Sequence, residues 1–417
     1  MRRPNLAIAA VAGIAILSGS NFLGAGSPGE PRWRHLTSQR GELPMPPAGD
    51  QQTAAFVGDF DRDGICDFMI TERTKAPSMV WYRRQAAGWG LYVVDGSRLP
   101  LEAGGTCCDV DGDGDLDVLV GEDGSGRNVY WWENPYPRFD PKKPWRRRLI
   151  KNSGANKHHD LIAGDFLGVG RPQVVFWNQG ARRLWLAEVP ADPRGTEPWT
   201  LVEIYRWESG REHEGLASAD IDGDGKADVI GGGRWFKHRG GHRFEARVID
   251  DSQRFARVAA GRLKKDAPHP QVVFVPGDAN GPLKWYECQG DPAAGALWTG
   301  HALLEGEVVH GHTLQVADID GDGCLDIFCA EMAQWSRSRG QPDHPGATAW
   351  IFYGDGGGRF RRTELVRGMG FHEGKVADLD GDRRLDILHK PYTWQAPRVD
   401  VWLQLPPAGR DKRGRTK

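Results

Sequence analysis

The chain has 417 residues, with 54 Lys and Arg against 56 Asp and Glu, 39% hydrophobic residues, 56 Gly, 17 Trp and six Cys. A mean hydropathy of -0.54 excludes a protein of several membrane-spanning helices, and a formal charge of -2 gives no basic surface for nucleic acid. The length allows two or three ordinary domains or one large all-β domain, and the many Gly and Trp favour short strands joined by tight turns.

Residues 1–27 read as a targeting segment. Arg2 and Arg3 precede the apolar run Leu6–Leu17, and small residues follow from Ser18 to Ser27. A basic start, a short apolar stretch and a small-residue exit mark a secretory signal, and the run is too short to span a bilayer comfortably. The expected location is therefore secreted, periplasmic or at the cell surface, with no transmembrane segment beyond the signal. Disulfides form in such compartments. Cys66 and the Cys107–Cys108 pair stand at similar heights in neighbouring repeats, so a bridge there is open.

The remainder is one repeat written seven times. Acidic stretches begin at Gly58 (GDFDRDGICDF), Cys108 (CDVDGDGDLDV), Gly164 (GDFLGVGRPQV), Ala219 (ADIDGDGKADV), Gly261 (GRLKKDAPHPQV), Ala317 (ADIDGDGCLDI) and Ala377 (ADLDGDRRLDI). With Asp59, Asp109, Asp165, Asp220, Arg262, Asp318 and Asp378 equivalent, the steps are 50, 56, 55, 42, 56 and 60 residues. A period of that size without helical periodicity predicts an all-β fold, a seven-bladed β-propeller over 32–405. Each unit carries an alternating strand into the loop, a β-branched strand out, an aromatic third strand and a fourth opening on Trp or Phe. A lone fourth strand, Trp33-Arg34-His35-Leu36, precedes the first loop, and the last unit stops at Val401-Trp402-Leu403. The N-terminal strand should close the last blade and hide its bare edge. The basic tail 406–417 is expected to be disordered.

Five loops place Asp at positions 1, 3, 5 and 9, with Gly at 6 in four of them. They are Asp59/Asp61/Asp63/Asp67, Asp109/Asp111/Asp113/Asp117, Asp220/Asp222/Asp224/Asp228, Asp318/Asp320/Asp322/Asp326 and Asp378/Asp380/Asp382/Asp386. Carboxylates at alternate positions of a tight loop converge on one point and suit a hard cation such as Ca²⁺, whereas without a cation they repel. An EF-hand is excluded, because position 12 of the second loop is Val120 within a strand. At these residues the chain resembles the FG-GAP/VCBS repeat family, the propeller type that also carries the calcium loops of integrin α subunits. The loops at Asp165 and Arg262 lack the acids and should bind no calcium, and Arg383 in place of Gly should weaken the last site. Five Ca²⁺ carry ten charges, which would turn the formal -2 into +8.

Histidines gather just upstream of the loops: His158 and His159, His213, His310 and His312, and His372. Each stands at the start of an innermost strand, where side chains can converge on the axial channel. Alternation lets only one of His158 and His159 point inward, and the spacing to Asp165 favours His159. His213 is offset by one residue. Glu214 and Glu373 follow two of the His in matching His-Glu-Gly triplets, and the second strands bring Glu122, Asn178, Arg234, Glu331, Trp335, Lys390 and Tyr392 to the same mouth. Imidazoles with a carboxylate around a wet channel are the ingredients of a Zn²⁺ or similar divalent site with an open position. His159, His213, His310, His312 and His372 are the candidate ligands. The bland alternative is polar lining of a pore.

This second layer resembles the propeller of fungal aldos-2-ulose dehydratase and its bacterial relatives, through the inner-strand His, Trp132-Glu133-Asn134 and the Pro-rich stretch Pro135–Pro144 before Trp145. The resemblance implies a channel metal that polarises a keto-sugar carbonyl, removal of the α-proton and β-elimination. Those enzymes also carry cupin domains, for which this chain has no room. Two classes stay open. One is an exported carbohydrate lyase or dehydratase with Glu373 or Glu214 as base, Lys390 or Arg234 as oxyanion or substrate partner and Glu331 nearby. The other is a non-enzymatic adhesion or glycan-binding propeller. Either takes a carbohydrate or small molecule at the channel mouth, and the insertion Gln334–Thr348 is long enough to cover it.

Overall fold

The computed structural model describes residues 31–406 except 48, 211 and 337–339. The expected signal segment 1–27 and, Pro406 apart, the basic tail lie outside the described residues.

Seven four-stranded antiparallel sheets form the blades of a propeller. The first strand of each is innermost: Gln52–Gly58, Thr106–Cys108, His158–Gly164, Ala217–Ala219, Ala256–Gly261, Thr313–Ala317 and Lys375–Ala377 for blades one to seven. These inner strands touch their neighbours around the whole ring, the seventh meeting the first. The second and third strands of a blade are joined across the face and the fourth lies outermost, as in blade three: Gln173–Asn178, Arg183–Glu188 and Thr200–Arg206.

Closure follows the expected route. Arg32–Thr37 pairs antiparallel with Asp400–Leu405 as the outer strand of blade seven, in the register Trp33 with Gln404 and Leu36 with Val401. This consumes the sheet edge that would otherwise be open to pairing with other chains.

The core is divided among the blade interfaces. Seven apolar clusters each join two adjacent blades, from Trp81 and Trp132 between blades one and two to Phe371 and Trp402 between six and seven. Trp81, Trp131, Trp132 and Trp235 of third strands and Trp177 of a second strand are fully buried there, so these aromatics are packing elements. Burying such rings supplies most of the adhesion between blades. All six Cys are free, so the bridge considered for Cys66 is not formed. Among the described residues no helix is long and apolar enough to cross a membrane.

Candidate metal centre and cleft

Counting back from the first loop residue organises the axis. His159, Glu214, His312 and His372 stand six residues before it in blades three, four, six and seven. Asp160, Arg257 and Glu373 stand five before it in blades three, five and seven. The two positions make two layers. Alternation alone would turn adjacent residues to opposite faces, but a bulge intervenes. His159 pairs with Trp177 and Leu161 with Phe176, leaving Asp160 as the extra residue. Asp160 and Glu373 lie in the left-handed region, at φ 48° and 58°, as do Gly104 and Gly215 at the equivalent places. Backbone conformations of that cost, held by bulky acids, concentrate at sites where a side chain must be aimed.

In the first layer, one ligand atom each from His159, Glu214 and His312 lie within 4.8 Å of one another, all three residues buried. His312 Nε2 is 3.3 Å and His159 Nε2 is 3.9 Å from Glu214 Oε1. Neither Glu214 oxygen accepts a hydrogen bond. The ring of His372 stacks on His312 at 4.4 Å. Burial disfavours charge on His159, yet Asp160 and Glu214 outweigh it and hold the imidazole up at about 10. Burial pushes the Glu214 carboxyl up against the pull of His312 and His159.

The second layer is an ion network. His159 Nδ1 is 2.7 Å from Asp160 Oδ2, which also accepts from the Gly215 amide at 2.8 Å. Arg257 reaches Asp160 at 2.5 Å, Glu373 at 2.7 Å and Glu214 at 3.5 Å. Lys375 adds a contact to Glu373 at 3.1 Å. Against its burial, Arg257 and Lys375 hold Glu373 down to about 2.

The structure sorts the sequence candidates. His159, Glu214 and His312 converge, with His372 beside them. His213 does not. The one-residue offset sends it between blades, where Trp177, Tyr205 and Trp207 surround it at 5.3, 5.8 and 4.2 Å, and burial followed by Arg234 and Arg254 pushes it down to about 3. His310 sits at the rim with its ring on Trp335 at 3.7 Å. Lys390 is buried behind His372 and donates to the carbonyls of Gln52 and His372 at 3.0 and 2.9 Å, so it is spent on backbone rather than on an oxyanion. Arg234 pairs with Asp251 away from the axis. Glu331 accepts from the amides of Val309 and Thr348 at 2.8 and 2.9 Å and organises a loop. His158 is turned into the blade, near the Glu122 carbonyl and against Phe176. Three polar residues were not singled out in the sequence: Asp160, Arg257 and Asp278. The first two were findable as the residues next to the inner-strand layer. Asp278 is in a turn, with only the preceding strand to announce it.

Asp278 joins the cluster to solvent. Its Oδ1 is 3.2 Å from His312 Nε2 and 3.8 Å from His310 Nδ1. It also lines a cleft of about 900 Å³ together with Gln179, Arg182, Trp207, Phe255 and Asn280. Aromatic walls with scattered amides and a guanidinium suit a small hydroxylated ligand.

On the opposite rim the acidic loops have the expected shape. Asp59 accepts from the amides of Asp63 and Gly64 at 2.9 and 3.0 Å, and Asp165 makes the same two contacts with Val169 and Gly170 in a loop that lacks the other acids. The first Asp thus shapes the turn by itself. In blades one, two, four and six, three carboxylates of each loop come within 4.8 Å. Burial first, then neighbouring carboxylates, raise Asp117 to about 9, Asp228 to about 8 and Asp326 to about 7. Such crowding is what a divalent cation relieves. Side-chain cations already enter some loops: Arg83 meets Asp61 at 2.5 Å, Arg194 meets Asp111 and Asp113 at 2.7 Å, and Lys237 meets Asp222.

The acids that come together differ from loop to loop, position 9 falling outside the trio in some and position 5 in others. In blades one and two the converging trio is positions 1, 3 and 5, but in blades four and six it is 1, 3 and 9. The blade-six trio is Asp318, Asp320 and Asp326, without Asp322. Asp322 is exposed, and its Oδ1 accepts from the Cys324 amide at 2.7 Å, the contact that Asp63 makes with the Ile65 amide at 2.9 Å while remaining in its own trio. Asp382 in blade seven is engaged in the same way. Its Oδ1 accepts from the Arg384 amide at 2.9 Å, and its Oδ2 is paired with the Arg384 guanidinium. A cation there would compete with an arginine two residues along the chain, as one in blade two would compete with Arg194. Asp224 is likewise shared with Lys237, at 3.1 Å.

Residues 318–389 match the FG-GAP-like repeat family model, a span holding the fourth and fifth acidic loops. No curated protein matches the chain by sequence. Among solved structures, the chain is similar to the BP39L lectin from Burkholderia pseudomallei, with 14% identity, TM-score 0.55, and 86% of this chain and 97% of the lectin covered. It is also similar to BBS1N, solved in complex with ARL6DN, at 11% identity and TM-score 0.50 over 88% and 95% of the two chains. Rhamnogalacturonan lyase YesW matches at 15% identity and TM-score 0.43, over 88% of this chain and 77% of the lyase. At these identities the likeness concerns the propeller fold.

Proposed function

We propose that this protein is an exported, calcium-stabilised propeller whose axial His159, Glu214 and His312 hold a divalent transition metal, and that it acts on a keto-sugar by β-elimination. The observation that carries the reading is the convergence of two buried imidazoles on a buried carboxylate that makes no hydrogen bond. Two ligands of a tetrahedral centre, each about 2.1 Å from the ion, stand about 3.4 Å apart. The 3.3 and 3.9 Å separations from Glu214 fit that spacing. Two imidazoles and a carboxylate suit Zn²⁺ or a similar ion. The Asp160 carboxylate at His159 Nδ1 is the partner that fixes a ligating imidazole with Nε2 free. A bound metal of this kind supplies a Lewis acid for a carbonyl oxygen.

The chain's own residues divide the remaining work. Arg257 neutralises Asp160 and Glu373 and locks the layer below the donors. Glu373, held near 2, is a poor proton acceptor. That leaves Glu214, whose second oxygen is also without a hydrogen bond, to take the α-proton and pass it to the departing β-oxygen, which leaves as water or an alcohol. Trp207 and Phe255 would face the carbon skeleton in the cleft, and Gln179, Arg182 and Asn280 its hydroxyls.

A second reading has one observation in its favour. His159 and Arg257 balance Asp160 and Glu373 without any ion, as a purely structural hub of a glycan-binding propeller would. Metal analysis separates the two. Protein stripped with EDTA and reloaded with Zn²⁺ should hold one axial ion, lost in Glu214→Gln and His312→Ala, and should convert a 2-keto-sugar to an unsaturated product. Absence of a transition metal at any stoichiometry, with glycan binding unchanged in His312→Ala, would decide for the second reading.

A further inference from the structure

Blade five contributes Ala256 at the position where blades three, four and six contribute ligands, so its inner strand offers the axis no donor there. It offers one from the far end of its second strand. Asp278 lies in the turn between Gln271–Pro276 and Asn280–Gly281. Its Oδ1 stands 3.2 Å from His312 Nε2, a separation two ligands of one tetrahedral ion would show, since these stand about 3.4 Å apart. The turn is built to come this close. A Cβ on Gly277 would lie 2.6 Å from both Glu214 oxygens, so any larger residue would fill the space between the donors.

Asp278 differs from the other donors in one respect. Its side chain is 47% exposed, against 0% for Glu214, 3% for His312 and 7% for His159. It faces the cleft on one side and the axis on the other. His310, clamped on Trp335 and in the left-handed region at φ 48°, stands 3.8 Å behind it. A carboxylate that reaches both water and a metal can leave and return, while the three strand-borne donors cannot.

We propose that Asp278 is the fourth, exchangeable ligand of the axial metal, displaced by the oxygens of a hydroxy-carbonyl ligand entering from the Trp207–Phe255 cleft. This rests on the axial metal reading and adds the site's entrance and the oxygen chemistry of what enters. Catalytic zinc sites keep three protein ligands and one position for water or substrate; here the fourth position is shared with a rim carboxylate.

Co²⁺ alone is the probe, followed by its visible d–d absorption. The wild type should take one Co²⁺ at the axis. Asp278→Ala should still take it through the three buried ligands, with affinity lower by about tenfold or more and an altered band, and acetate should restore the wild-type band. Asp278→Asn should behave likewise, and far-UV circular dichroism should be unchanged in both because the Asp278 side chain is half exposed. An Asp278→Ala protein with wild-type band and affinity overturns the proposal while leaving the metal site standing. A wild type that takes no Co²⁺, indistinguishable from His312→Ala, overturns the metal reading as well.

Discussion

Ring closure should depend on one buried carboxylate. Asp400 lies on the third strand of blade seven, opposite Thr37 of the N-terminal strand, and is fully buried. Its Oδ1 meets His35 Nε2 at 2.8 Å and Arg398 Nη2 at 2.9 Å; its Oδ2 meets His389 Nδ1 at 2.8 Å and Arg398 Nε at 2.7 Å. Burial opposes ionisation, but the hydrogen bonds from His35 and His389 hold Asp400 far below the usual carboxylate range. Asp400→Ala leaves the Arg398 guanidinium, 10% exposed, without its partner. Breaking a buried pair in this way costs about 3–5 kcal/mol. With roughly 370 ordered residues the unfolding entropy is about 0.8 kcal/mol per kelvin, so Tm should fall by about 4–6 °C at pH 7. A group with a depressed folded pKa contributes fully above its unfolded value and loses that contribution as pH falls through the folded one. The gap between variant and wild type should therefore be constant from neutral pH down to about 5 and shrink below the ordinary Asp value of 3.8. Calorimetry across that range measures both. Arg398→Met combined with Asp400→Ala should recover part of the loss, since the uncompensated cation is then gone. A Tm within about 1 °C of wild type, or a double variant worse than the sum of the singles, would refute the reasoning.

Removing calcium with EGTA should lower Tm, and restoring Ca²⁺ should raise it in proportion to the loops filled, because a ligand bound only by the folded state stabilises it by mass action; an unmoved Tm would end the calcium reading. Lys237, 11% exposed with its ammonium on Asp222 and 3.1 Å from Asp224, competes with a cation in blade four. Lys237→Met should raise calcium affinity or stoichiometry by calorimetric titration. Arg383 has φ 70° where the other four acidic loops have Gly, so Arg383→Gly should gain about 1 kcal/mol in denaturant unfolding. His213→Ala should keep the axial metal and lose stability by about 2 kcal/mol or more, having emptied an aromatic box, whereas His312→Ala should do the reverse; equal metal loss in both would contradict the sorting of these two residues.

The wheel was legible because its signals are periodic and physically redundant. The loops, the aromatic third strands and, with the orphan strand at Trp33, the fourth strands each count to seven, and closure by Arg32–Thr37 follows from their phase. The Trp residues were also readable, since every blade interface needs bulk at the same register. The expected export signal falls in residues outside those the structure describes. Lys390 and Glu331 were misread for a common reason: a charged residue at a strand end looks available in a sequence, and only coordinates show that backbone amides or carbonyls already claim it. In the loops, likewise, spacing alone cannot reveal that a guanidinium two residues on already pairs with Asp382.

The axial site shows where residue type misleads and register does not. The His-Glu-Gly triplets at His213 and His372 look equivalent, yet counted to the loop they are shifted by one: Glu214 is six residues before Asp220, whereas His372 is six before Asp378. A one-residue shift exchanges the faces of a strand, so Glu214 takes the place on the axis and His213 falls among Trp177, Tyr205 and Trp207. The same count selects His159 over His158. What the count alone does not supply is that the residue five before the loop also reaches the axis, which in blade three requires a break in the alternation. At Asp160 a left-handed bulge residue lets two neighbours face one channel, and Gly104, whose Cβ would come within 2.2 Å of Asp160 Oδ1, makes room for it from the adjacent blade. The pairing of a strained acid with a facing glycine is thus the mark by which this kind of axis could be sought in other propellers, and Gly104→Ala should disturb the His159 donor through Asp160 while leaving the acidic loops untouched.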